Sequence, residues 1–128
     1  MNILDENIDL FARLSLAQWK FHFRQIGVEI GHSGMKDFDE IIPLLHSLRR
    51  PTLLTRDDDF YHPQLRHANY CLVYFDISLT ETAEYIRQFY RHPLFRTQVQ
   101  RMGKVVRIHE NGITYWEIGV HGSRRVSW

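Results

Sequence analysis

The sequence predicts an α/β domain, an open and mostly parallel sheet flanked by helices and ending in a β-hairpin. Three observations carry this. Short apolar runs alternate with helix-period segments from the first residues onward, the order of a parallel sheet with helical crossovers. Residues 70–75 form a nearly continuous apolar run, as a strand buried on both faces requires. Asn111-Gly112 stands between two β-prone runs, the strongest short hairpin signal.

Each element follows in order. Residues 1–4 read as a first strand, ended by Asp5. Ile8, Phe11, Leu14, Leu16 and Phe21 fall near helical spacing and predict a helix over 8–25, with Gly27 as its C′ residue. Residues 28–30 read as a second strand and 31–34 as a loop. A second helix is expected over 37–48, because Asp37 and Glu40 have capping-box spacing. Pro43 lies too deep for N1 of that helix and predicts a later start or a kinked first turn. Residues 52–55 are a third strand, followed by Arg56-Asp57-Asp58-Asp59-Phe60. Residues 70–75 are a fourth, with Asp76 behind it. A helix over 80–90, capped by Ser78 or Thr80, and a turn or two over 95–101 lead to the hairpin strands at 104–109 and 113–118.

Composition narrows the class. At 128 residues, with 44% hydrophobic and 24% charged, the chain fits one globular domain spanning 1–128 rather than a disordered segment. No basic leader opens the sequence, and no stretch approaches the roughly 20 apolar residues of a membrane span. Cys71 is the lone cysteine, so an internal disulfide is excluded. A reduced thiol in the cytoplasm is the expectation. The net charge of +1 is unevenly spread. Residues 1–60 hold ten acidic and seven basic side chains, −3, and residues 61–128 hold five and nine, +4. That split suits a metal site beside a polyanion track, although differences this small also arise by chance.

The chemistry concentrates in carboxylates. Asp5 follows the first strand, Asp39 or Glu40 opens the second helix, Asp57 and Asp59 follow the third strand, and Asp76 follows the fourth. In a parallel α/β sheet all these strand ends lie on one edge, where ligands bind. Carboxylates brought together there repel unless a cation compensates or one takes up a proton. Mg²⁺ and Mn²⁺ prefer oxygen ligands, and such an ion activates water and clamps a phosphodiester. None of the eight histidines falls in a zinc spacing, and His62 alone follows the Asp cluster closely.

Plainer readings compete. Asp5 could cap the first helix, and Asp37 and Glu40 the second. Asp57 and Asp59 could be turn residues, but three consecutive Asp cost repulsion that a simple turn does not require. Arg87, Arg91, Arg96, Arg101, Lys104 and Arg107 read equally as a phosphate track or as a solvated face with local ion pairs. Tyr85, Phe89, Tyr90 and Phe95 read as core.

Three segments together resemble a known family. They are Ile3-Leu4-Asp5-Glu6-Asn7, Asp39-Glu40-Ile41-Ile42 and Leu53-Leu54-Thr55-Arg56-Asp57-Asp58-Asp59-Phe60. In this order and spacing they look like the PIN-like proteins of the small bacterial DUF5615 type, related to PIN-domain ribonucleases and to toxins of toxin–antitoxin pairs. The resemblance covers residues 1–76. It implies a PIN-like fold and cleavage of RNA dependent on Mg²⁺ or Mn²⁺, without a covalent intermediate. Carried over by position, it implicates Asp5, Asp39, Asp57 and Asp59 as catalytic and Asp5, Asp39, Glu40, Asp57 and Asp59 as metal ligands, with Asn7 positioning a phosphate or a metal-bound water. Implied partners are RNA and an antitoxin protein. A homodimer through the hairpin's sheet edge is a further expectation. The sequence departs from the pattern at Asp58, which makes a triple Asp, and at Pro43, which disturbs the helix bearing Asp39 and Glu40. The other reading is a PIN-like module without turnover, working as an interaction or regulatory subunit. A phosphoryl-accepting receiver is disfavoured, because Lys104 stands at the start of its strand rather than at the end.

Overall fold

Period-two alternation sorts the side chains of four strands onto two faces. Ile3, Leu53, Leu72 and Val105 point to one side, and Leu4, Leu54, Val73 and Val106 to the other. The computed structural model describes residues 1–128. Its strands are β1 (Asn2–Leu4), β2 (Arg24–Gln25), β3 (Thr52–Thr55), β4 (Cys71–Phe75), β5 (Lys104–His109), β6 (Gly112–Glu117) and β7 (Arg124–Val126). They form one sheet in the order β2-β1-β3-β4-β5-β6-β7. The pairs from β2 to β5 are parallel, and β5-β6 and β6-β7 are antiparallel. The expected open, mostly parallel α/β sheet with a C-terminal hairpin is therefore present.

Helices cover both faces. The helix α1 (Leu10–Gln18) packs with α3 (Thr82–Arg91) over the larger core, where Leu16, Ile86, Phe89 and Phe95 are buried. On the opposite face α2 (Ile42–Ser47) covers the smaller core of Ile3, Leu45, Leu53, Phe60 and Leu72. A short α4 (Gln98–Arg101) carries a capping box between Thr97 and Gln100 and leads into β5. Cys71 is fully buried, and burial pushes its thiol up to about 12, so it stays a protonated packing residue.

Three elements differ from the sequence reading. The first helix ends at Gln18, not near 25. Lys20 takes φ 62°, its N–H donates to Ala17 O, and the Phe21 N–H donates to Leu16 O. This is a Schellman closure with lysine in the position glycine usually fills, so no glycine marked it. The released chain forms β2 at residues 24–25, and residues 28–30 make only an isolated bridge, Ile26 to Ile30. Gly27 serves the turn after β2, at φ 84°.

The second helix begins as a π-helical turn, Asp37–Ile41, in which the Ile41 N–H donates to Lys36 O. Pro43 supplies the reason. It has no N–H, and its ring crowds the carbonyl four residues back; widening the first turn accommodates it. At the far edge β7, short and charged, was not legible as a strand.

The connection from β2 crosses back over β1 to reach β3. Strand order therefore reverses between β1 and β3, the topological switch point where open α/β sheets bind ligands. The C-terminal ends of β1 and β3 bear Asp5 and Arg56-Asp57.

The hairpin loop is Glu110-Asn111, closed by the His109–Gly112 pair. Gly112 adopts φ 146°, and a Cβ there would lie 2.4 Å from the Val126 carbonyl oxygen. Gly112→Ala should therefore cost about 1–3 kcal/mol and loosen β7 first. Urea unfolding and amide exchange at Arg124 and Val126 check this; unchanged exchange at both positions would refute it.

Candidate metal centre

The acidic cluster is built on one buried hydroxyl. Thr55 ends β3 with no exposed surface. Its Oγ1 donates to Asp5 Oδ2 at 2.7 Å, and accepts from the Asp57 N–H at 3.0 Å and from Asn7 Nδ2 at 3.2 Å. Asp5 is itself buried, and its Oδ1 accepts from the Glu6 N–H at 2.7 Å. Asn7 completes the frame, donating to Asp5 Oδ2 and accepting from the Arg56 N–H at 3.0 Å. Burial raises the Asp5 carboxyl above its ordinary value. The hydrogen bonds from Thr55 and Glu6 oppose the rise, and the charges of Asp57 and Glu6 add to it.

Asp57 caps the turn that follows. Its Oδ1 accepts from the Asp59 N–H at 2.9 Å, opening a 3-10 turn, Asp58–Phe60, that buries Phe60. The turn sets Asp57 and Asp59 against Asp37 from the π-helical turn. One carboxylate oxygen of each lies within 4.8 Å of the others. The Asp37 carboxyl rises to about 7, first through burial, then through its hydrogen bond with Asp57, and then through repulsion by Asp57, Asp5 and Asp59. The neighbouring charges thus favour the protonated form of the Asp37 carboxyl.

Of the carboxylates singled out from sequence, Asp57 and Asp59 belong to the three-carboxylate group, and Asp5 lies outside it, buried and held by Thr55. Asp39 is exposed and outside the three-carboxylate group. Glu40 accepts from the Lys36 N–H at 3.1 Å and pairs with His32 Nε2 at 2.7 Å. The helix-borne member is Asp37, which the sequence reading had placed as a cap. The cap position is one residue earlier, at Lys36, and Glu40 reaches back to it. Residues two apart do not share a helix face, so Asp37 turned inward leaves Asp39 outside. Asp5 does not cap α1; Asp9 does, accepting from the Ala12 N–H. Thr55 is the residue sequence reasoning missed. It lay inside the Thr-x-Asp-x-Asp motif but had been given no role.

Other expectations sort out clearly. Asp76 pairs with Arg107, and His62 lines a shallow apolar hollow with Phe38 and Leu65. The basic residues do not form one track. Arg101 is buried and bonds Thr52 Oγ1 and the carbonyls of Phe95 and Arg96. Lys104 reaches Gln100 O and Glu117, and Arg87 pairs with Glu84.

The donor set of Asp37, Asp57 and Asp59 is all carboxylate oxygen. It fits a hard divalent cation such as Mg²⁺ or Mn²⁺. No helix is long and apolar enough to cross a membrane. In comparisons with known proteins, no family model, curated protein or solved structure matches the chain.

Two measurements follow. Thr55→Val keeps the shape but leaves Asp5 Oδ2 and the Asp57 N–H short of a partner, and should cost about 1–3 kcal/mol in urea unfolding; a neutral effect would remove Thr55 from the centre of the site. Asp37 has a folded pKa of about 7, above the ordinary 3.8 of a free aspartate side chain. The folded state thus holds the extra proton, and stability falls as pH rises from about 4 to about 7. Asp37→Asn abolishes that loss. With a chelator present at pH 8 it should be more stable than wild type by about 1 kcal/mol, the full shift being discounted for solvent screening. The advantage should close towards pH 4. A variant less stable at pH 8 would contradict the repulsion.

Proposed function

We propose that this chain is a ribonuclease with a PIN-like fold, dependent on Mg²⁺ or Mn²⁺, and the toxin of a toxin–antitoxin pair in the cytoplasm. The observation that carries the reading is the convergence of Asp37 with Asp57 and Asp59, from two separate segments, with the Asp5 charge nearby at the switch point of the sheet. The α/β sheet is compatible with a PIN-like fold, and the order of the Asp5, Asp57 and Asp59 motifs supports it.

Asp37, Asp57 and Asp59 would hold the ion, with Asp5 lending charge from behind. Once bound, the ion supplies Lewis acidity to a phosphodiester and lowers the pKa of water. The protein's own part is positional. Asp57 is fixed by the Asp59 N–H and by its own N–H on Thr55. A cation held there would favour the ionised form of Asp37. Asn7 has its amide committed to Asp5, Thr55 and Arg56, and so holds the ends of β1 and β3 together.

A second reading is favoured by one observation. Leu10, Phe11 and Leu14 of α1 are 67%, 60% and 58% exposed. A contiguous apolar face of this kind marks a protein contact. It suits a PIN-like interaction module without turnover, binding an antitoxin protein or a second copy.

Calorimetric titration with Mn²⁺, alongside RNA cleavage in the same buffer, separates the two. Wild type should bind and cleave, and Asp57→Asn/Asp59→Asn should lose both, with cleavage down at least about 100-fold. Wild type that folds but binds no Mn²⁺ would leave the interaction module as the reading.

A further inference from the structure

The largest cavity shares no residue with the acidic cluster. It is a cleft of about 440 Å³ where the C-terminal ends of α1 and α3 meet, lined by Leu16, Trp19, Lys20, Phe21, Arg87, Tyr90 and Arg91. With nine residues in α1, it stands about 14 Å along the helix from the switch-point edge. Its lining holds three cations and no carboxylate. Glu84, paired with Arg87 at 2.7 Å, is the only acid that offsets them. Lys20 and Arg91 form no ion pair. A cation at each helix C-terminus would satisfy the two macrodipoles; the third is surplus to that need.

The aromatic lining points further. Trp19 is 38% exposed, and the Arg87 guanidinium lies over its ring at 3.9 Å. The Arg87 Nε–H has no hydrogen-bond partner. Phe21 and Tyr90 sit beside them with ring centroids 4.9 Å apart. Lys20 is held at φ 62°, a conformation disfavoured for a residue with a side chain, and this fixes its backbone at the mouth. A bare anion needs no aromatic wall, and an apolar ligand needs no three cations. The volume is that of a small-ligand pocket.

The geometry points to a nucleotide-binding site, in which a base stacks on the Trp19–Arg87 pair and its phosphate lies between Lys20 and Arg91. Stacking on an aromatic platform beside cations is how nucleotides and single strands are held without base readout. The site stands apart from the acidic cluster and does not depend on cleavage there.

Nitrogen-15 NMR titration of the whole protein with AMP, with chelator present, tests it. AMP should bind saturably, with Kd below about 1 mM, and shift the Trp19 indole resonance. Lys20→Gln/Arg91→Gln, which alters only the cleft mouth, should weaken it about tenfold or more. Asp57→Asn/Asp59→Asn should leave it unchanged. Inorganic phosphate binding as tightly as AMP would overturn the proposal, as would AMP binding that ignores the Lys20/Arg91 variant or no saturation at all. A uridine hexanucleotide run in parallel distinguishes the source. Binding more than about tenfold tighter than AMP assigns the cleft to a strand, and equal or weaker binding to a free nucleotide.

Discussion

The hydrogen bond from Thr55 to Asp5 joins the two strands between which the whole topology turns. It is made at the reversal point of the sheet, inside the protein, by residues 50 positions apart. In one place it satisfies a buried carboxylate, a threonine hydroxyl and the amide that starts the Asp57 turn. A buried polar network of this kind costs heavily when half satisfied and specifies one arrangement when complete. The β1–β3 register, the entry of the Asp57 turn and the separation of Asp5 from Asp57 all hang on it.

Around that fixed point the molecule tolerates a local conflict. Three carboxylates share a few ångströms, although nothing in the fold needs negative charge there. The turn after β3 could be closed by a single Asx residue. Sequences that fold well are locally consistent, and departures from consistency concentrate at working sites. The conflict is contained by rigid neighbours: Phe60 is buried directly after the Asp run, and Glu40 secures the start of the π-helical turn.

How far the sequence could be read follows from which signals were periodic. The strand at 52–55 matched its predicted bounds, and the apolar run at 70–75 was recognisable because burial on both faces leaves an unbroken signature. The end of α1 was hidden, because a lysine fills a place where glycine is the usual mark. The carboxylate that joins Asp57 and Asp59 is Asp37 and not Asp39, because Asp39 was assigned by position in a resembling motif, and the π-helical turn that aims Asp37 inward leaves no periodic mark in the sequence. Asp5, Asp57 and Asp59 were legible because strand ends in a parallel sheet share an edge whatever the helices do. Thr55 was invisible in role, since a hydroxyl inside an apolar strand shows its partners only once the strands are paired.

The two outer strands have a consequence for the protein at high concentration. An unpaired strand edge is a template on which another chain can add a strand. At one side β2 offers only two residues, too few to seed a ladder. At the other, β7 presents adjacent Arg124 and Arg125, both exposed, and an antiparallel copy laid against it would bring cations together. Brevity at one border and charge at the other both oppose edge-to-edge growth of the sheet.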